Sequence, residues 1–375
     1  MRKPFLSKKF IAAAFTLSGS IIGAGILGLP YVFAQSGFLI GLSWVLFLGL
    51  IVTYTLLCLG EITLRTKRDR QLPGLTEKYL GKTGKYLMAF AAIFGIYAAL
   101  IAYLIGEGSS LSILLTGSNT YAPQFVFGFW LLMTIALNEG LKGLKKVETY
   151  GVFVILALII IISVYYSPSI SIENLKTINT INLFLPFGVV LFALIGFPAI
   201  PEIRFLIKGS EKRLKQAILV GSIIPIITYI AFSLVFVGVL GTNVPQIATI
   251  GLGELVIILG IFTMLTSYFV LSFALKDTLY LDLKLQKKKA FVLTTIIPIM
   301  AYMFLDKINQ LNFVNVLGIG GVVAGGLMGI LILLSHKKAK TLGNRKPEFQ
   351  IPNNWFIIIT LILIFIAGMI LELIF

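Results

Sequence analysis

The sequence predicts an all-α membrane protein: eleven transmembrane helices in a five-plus-five inverted repeat, with helices 1 and 6 broken, plus one extra C-terminal helix. Three observations carry that prediction. First, 58% of the 375 residues are apolar and 12% are charged, against roughly 25% charged in a soluble domain, which excludes a soluble globule. Second, 29 of the 31 lysines and arginines fall in segments that successive crossings would place on one side. Third, two apolar stretches far apart in the chain are interrupted by glycine and proline at the same depth.

Apolar runs bounded by charges place the spans at roughly 11–35, 38–64, 86–114, 122–140, 148–167, 183–207, 217–240, 252–275, 290–305, 311–334 and 353–375. At about 20 residues per crossing, the apolar content suffices for about eleven. The first run follows Arg2, Lys3, Lys8 and Lys9 and so imitates a signal peptide. Its length of about 25 residues exceeds the roughly 7–15 of a signal h-region, so it is expected to stay as span 1. The stretches between spans are too short for a second folded unit. The chain is therefore expected to be one transmembrane domain over 1–375, with a first repeat at about 8–168, a second at about 181–335 and the extra helix at 353–375.

With the N-terminus inside, only Lys176 and Lys307 remain outside, as the positive-inside rule requires. The expected location is the cytoplasmic membrane, multi-pass, with the C-terminus outside. The formal charge of +16 then faces anionic membrane lipid, not nucleic acid. One cysteine, Cys58, and one histidine, His336, in a basic inner loop, exclude a disulfide framework and a Cys/His metal cluster. No cofactor is expected, and no general base has an orienting partner, so an enzyme is not expected.

Span 1 reads LSGSIIGAGILGLPYVFAQSGF, broken by Gly23, Gly25, Gly28 and Pro30. Span 6 reads NLFLPFGVVLFALIGFPAIPEIRFLI, broken by Gly196, Pro198 and Pro201. Both breaks lie about a dozen residues in, near the bilayer midplane at about 1.5 Å per residue. Unpaired backbone groups survive there only where protein or a water-filled cavity covers them, so the breaks imply an internal site. Four intact spans separate the first break from the second, so the second unit enters from the opposite side, giving the inverted repeat. Paired interruptions of this kind point to the binding site of a secondary transporter. GAGILG, Gly23 to Gly28, also fits G-x-G-x-x-G, but with no strand before it and no acid at 36–60 it is not a dinucleotide site.

At a broken helix, freed N–H groups attract anions and freed carbonyls attract cations. A zwitterionic amino acid suits such a pair, with its carboxylate at Ala24, Gly25 and Ile26 and its ammonium at carbonyls near Phe192, Ala193 and Ile195. No ionisable residue occupies either break, and Ile26, Phe192 and Phe197 make the surroundings apolar. A neutral, hydrophobic or aromatic amino acid is the expected partner, and Tyr97, at mid-depth in span 3, is the aromatic chosen to close over it. Metal-ion transport is disfavoured, because neither break carries Asp, Asn, His or Met.

The segments GSIIGAGILGLPYVFAQSGF and LFALIGFPAIPE resemble the amino acid/auxin permease branch of the amino acid, polyamine and organocation superfamily. The resemblance implies the five-plus-five fold and amino acid uptake by alternating access, coupled to Na+ or H+. It places the substrate carboxylate at Ala24 and Gly25 and the amine at the Phe192, Ala193 and Ile195 carbonyls. It also implies a sodium site between carbonyls of Gly19 and Ile22 and hydroxyls of span 8. There, Thr263, Thr266 and Ser267 share one helix face by their spacing, although such hydroxyls often bond back to their own helix. Proton-coupled relatives can use a span 5 lysine, and YGVFVILALIIIISVYYS has no ionisable residue. That departure leans towards sodium, while a carboxylate elsewhere could carry a proton.

Charges within spans are functional candidates by default. Glu107 in span 3 is a candidate gate or proton site, or a helix-cementing group near the outer interface. Glu202, after the span 6 break, is a candidate inner gate, and neither it nor Arg204 can face the other. Glu61, Lys276 and Asp277 are expected to be anchors at inner helix ends. Gly321, Gly325 and Gly329 form a close-packing face. The alternatives to a transporter are a non-transporting amino acid sensor and a channel on a related helical fold, and a channel's charged ring or filter loop is not seen.

Overall fold

The computed structural model describes residues 8–139 and 144–374. Arg2, Lys3 and part of the basic loop at 142–146, which bear on orientation, lie outside the described residues. Among the described residues every regular element is helical, since an apolar chain in lipid must satisfy its amides internally.

In chain order the helices are α1 (Lys8–Ile21), α2 (Gly25–Ser36), α3 (Phe38–Leu64), α4 (Leu72–Thr116), α5 (Ala122–Glu139), α6 (Leu144–Tyr166) and a short α7 (Ile172–Leu175). There follow α8 (Pro186–Ala193), α9 (Ala199–Leu206), α10 (Leu214–Leu240), α11 (Glu254–Asp277), α12 (Lys287–Lys307), α13 (Phe313–Gly320), α14 (Leu327–Leu342) and α15 (Trp355–Ile374). A π-helical turn, Gly321–Gly326, joins α13 to α14.

Among the described residues eight helical segments are long and apolar enough to cross a membrane, and α1 with α2 passes the same test as a pair bent by 57°. Each expected span overlies a helix or a helix pair. Two of them, at α6 and at the short pair α8 and α9, fall outside the eight and the bent pair.

Two boundaries differ from expectation. The stretch 65–85, expected to be loop, contains the first turns of α4, up to a kink at Gly81 with φ 78°, a backbone region that favours glycine. The other is α14, which runs on to Leu342 and carries His336 as a buried helical residue, not a loop residue. In both places the polar residues that suggested a loop cover helix instead.

The packing brings the broken elements to the centre. α4 is the long central helix, packed on α5, α11, α12, α13 and α14. α1 lies on α10, where Gly221 leaves room for Leu17 and the Ala14 carbonyl. α8 lies between α2, α3, α13 and the π-turn. The glycine face of span 10 seats that helix: Gly321 meets the backbone of Gly188 and Phe192, and Gly325 meets Leu191 and Ile195. Gly329 instead accommodates Phe365 of α15.

Candidate functional site

Both breaks lie where glycine and proline predict them. α1 ends as the Ile22 amide donates to Ser18 O at 2.9 Å, and α2 restarts with Ile26 N to Gly23 O at 3.3 Å and Leu27 N to Ala24 O at 3.1 Å. α8 ends as Leu194 N donates to Val190 O at 3.1 Å, and α9 follows a turn closed by Ala199 N to Gly196 O at 3.2 Å. Pro198 and Pro201 stand at the cap and in the first turn of α9, positions that need no intrahelical N–H.

The two breaks meet at Gly25, against the Ala193 backbone, and at Gly196, against the Ile21 side chain. A Cβ on Gly25 would come within 2.5 Å of the Ala193 Cα, and one on Gly196 within 2.6 Å of the Ile21 side chain. Gly25 follows the first break and Ala193 precedes the second. Gly196 lies within the second and Ile21 precedes the first.

A third helix joins them. The hydroxyl of Tyr229 on α10, fully buried, lies 2.8 Å from Ile21 O and 2.7 Å from Ala193 O. These are the carbonyls at which α1 and α8 stop.

Of the predicted substrate residues, Ala24, Ile26, Ala193 and Phe197 are buried at this crossing. A Cβ on Gly23 would lie 3.4 Å from the Tyr103 hydroxyl of α4. Phe192 packs against Gly320, and Ile195 against Gly325. Tyr97 points elsewhere: its hydroxyl donates to Leu293 O on α12 at 3.2 Å. The aromatic that α4 presents to the span 1 break is Tyr103.

The predicted ion residues are less concentrated. Thr263 donates to Leu259 O at 2.8 Å, and the Thr266 hydroxyl lies 3.0 Å from both Phe262 O and Thr263 O. Those protons go to their own helix and leave the oxygen lone pairs free to accept. Ser267 is half-buried on the same helix. α11 packs chiefly on α4, α6, α12 and α5, whereas α1, with Gly19 and Ile22 at its end, packs chiefly on α10, α9 and α6.

Glu107 has no exposed surface, and neither carboxyl oxygen has a hydrogen-bond partner. Ser110, one turn on, is buried with its hydroxyl also unpartnered, and Tyr103 lies one turn before, so the three share a face of α4. A cleft of about 540 Å³ is lined by Ile105, Ser109 and Phe313, among others. Glu107, two residues from each of those α4 positions, points away from it.

At the other end of α4, Arg204 Nη1 pairs with Asp69 at 2.7 Å and Nη2 donates to Thr66 O at 3.1 Å. Both residues belong to the segment after α3. Glu202 is exposed and is not part of that closure.

Reading the sequence missed Tyr229 and Tyr103. A signal existed, because tyrosine in a span is enriched at the interfaces, and a mid-span tyrosine in SIIPIITYIAF needs an internal acceptor for its hydroxyl.

Comparison with known proteins agrees with a transporter reading. Residues 6–252 match the model of the tryptophan/tyrosine permease family. Tyrosine-specific transport system 1 of Haemophilus influenzae is 30% identical over 244 residues, covering 63% of this chain and 59% of that protein. Tyrosine-specific transport system 2 of the same organism is 28% identical over 250 residues, covering 64% of this chain and 60% of that protein. Glutamine transporter 2 of Aliivibrio fischeri is 25% identical over 362 residues, covering 91% of each.

Proposed function

The chain belongs to the tryptophan/tyrosine permease family, a family of transporters and not enzymes, and from that premise we propose that it moves neutral amino acids across the cytoplasmic membrane by alternating access. The observation that carries this is the crossing of the two broken helices, with freed carbonyls at Ile21 and Ala193 and a restarting helix at Gly25. The amides at Ala24 and Gly25, with that of Ile26 once it leaves Gly23 O, bind the carboxylate, and the carbonyls at the end of α8 bind the ammonium. The side chain enters apolar surroundings that include Ile26 and Phe197. The relatives named for tyrosine and for glutamine both point to a neutral substrate, and the buried apolar lining favours the hydrophobic or aromatic kind.

The full arrangement in this reading is eleven spans in two inverted repeats within the amino acid/auxin permease branch, N-terminus inside and C-terminus outside. Transport is driven by Na+ or H+. The unpartnered Glu107 supports the proton, since burying a carboxylate in its ionised form without a partner costs several kcal/mol. The Thr263, Thr266 and Ser267 hydroxyls are the sodium alternative.

Uptake of labelled L-tyrosine and L-glutamine into proteoliposomes, under imposed sodium or proton gradients, tests the proposal. Accumulation under one gradient supports it, and failure of every neutral amino acid to bind or compete overturns it. Gly25→Val is expected to abolish binding while the protein still inserts, because the added branch meets the Ala193 backbone. Normal transport by that variant would remove Gly25 from the site.

A further inference from the structure

A tyrosine hydroxyl has one proton to donate, yet the Tyr229 oxygen lies within hydrogen-bond distance of two carbonyls, at 2.8 Å from Ile21 O and 2.7 Å from Ala193 O. At any instant one carbonyl receives the proton and the other faces an oxygen lone pair. Both carbonyls end a broken helix, and Tyr229 itself is wholly buried. The junction is therefore held together by one donor shared between two acceptors. A primary ammonium, with three N–H groups, satisfies both.

The same junction has no room for a ligand as it stands. Gly25 and Ala193 are in backbone contact, so an amino acid can lie between the breaks only after they separate. Separation must break at least one of the two Tyr229 contacts.

We propose that Tyr229 is the built-in occupant of the amino-group position. Its hydroxyl closes the two breaks on each other when the carrier is empty, and the substrate's ammonium displaces it. This rests on the transport reading above and adds a role to it: Tyr229 sets the apparent affinity and enables the return of the empty carrier, without being a ligand of the bound substrate.

Tyr229→Phe removes the competing donor and weakens the closed empty form. The purified full-length protein carrying it is expected to bind L-tyrosine or L-glutamine several-fold more tightly than wild type, by equilibrium binding in detergent. In proteoliposomes its exchange of labelled for unlabelled amino acid is expected to persist while net uptake falls, lowering the ratio of uptake to exchange about tenfold. A merely structural tyrosine lowers both rates together without tightening binding, and a tyrosine that holds the substrate weakens binding. Either result overturns the proposal.

Replacing Tyr229 with 3,5-difluorotyrosine keeps the ring's shape and makes the hydroxyl a stronger donor. Binding is then expected to weaken, opposite to the phenylalanine variant, and this arm decides alone if Tyr229→Phe does not fold. Unchanged or tighter binding in the fluorinated protein overturns the proposal. Wild-type protein that binds no neutral amino acid overturns the transport reading itself. Wild-type binding with no shift in the variants overturns only the role of Tyr229.

Discussion

Glu61, near the C-terminal end of α3, and Glu107, on α4, are both carboxyl groups with no exposed surface in apolar helices. Glu61 is surrounded by donors: Arg65 Nε at 2.7 Å, His336 Nε2 at 3.0 Å, Lys340 Nζ at 2.5 Å and the Ile351 amide at 2.6 Å. Glu107 has none at either oxygen. Burial alone therefore says little about what a carboxyl does in a membrane protein; its partners decide. An ionised carboxylate with cations and an amide around it is a fixed charge that ties α3 to α14 and to the segment before α15. A buried carboxyl with no hydrogen-bond partner at either oxygen ties its helix to nothing, and it can reach water only when the packing around it opens.

The comparison makes its largest prediction at Glu61. Glu61→Ala leaves Arg65, His336, Lys340 and the Ile351 amide facing an empty position. Breaking a buried ion pair from one side costs about 3–5 kcal/mol, so thermal unfolding in detergent is expected to show a large loss of stability. Glu107→Ala breaks no ion pair and costs chiefly the cavity. Equal losses at the two sites would break the comparison.

A smaller effect is expected at His336. His336→Phe keeps most of the ring's volume but removes one of the four groups that meet Glu61, at a cost of about 1–3 kcal/mol. The same unfolding measurement checks it. If the loss matches that of Glu61→Ala, the histidine supports the whole cluster; if there is none, Arg65, Lys340 and Ile351 suffice.

How much of this was legible in the sequence differs between the two regions. The breaks in spans 1 and 6 were legible because glycine and proline act on the backbone locally, and both helices stop within a few residues of where Gly23, Gly25, Gly196 and Pro198 put them. Charged Glu107 stood out in an apolar run for the same reason. The pairing of Glu61 with His336 was not legible: the residues are 275 positions apart, and a basic run around His336 looks like a loop until α14 is seen to continue through it. Tyr97 and Tyr103 are six residues apart on one helix, and only the packing of α4 against α12 on one side and the span 1 break on another decides which of them meets the site.

The smallest structural effect is expected at Glu107, and it separates stability from coupling. Glu107→Gln exchanges a carboxyl without hydrogen-bond partners for an amide of nearly the same shape, so unfolding is expected to shift by less than about 1 kcal/mol, as for substitutions that leave no cavity. The amide cannot release or take up a proton at neutral pH. If Glu107 is the group that moves the coupling proton, the variant is expected to lose accumulation driven by an imposed proton gradient while still exchanging amino acid across the membrane. If Glu107 only cements α4 to its neighbours, the variant follows an imposed proton gradient as wild type does, and a group other than Glu107 carries the proton; wild-type accumulation under a sodium gradient alone would instead direct the search to the α11 hydroxyls. Unchanged stability with lost accumulation is the one combination that a structural carboxyl cannot produce, because such a group acts on the drive only through the fold.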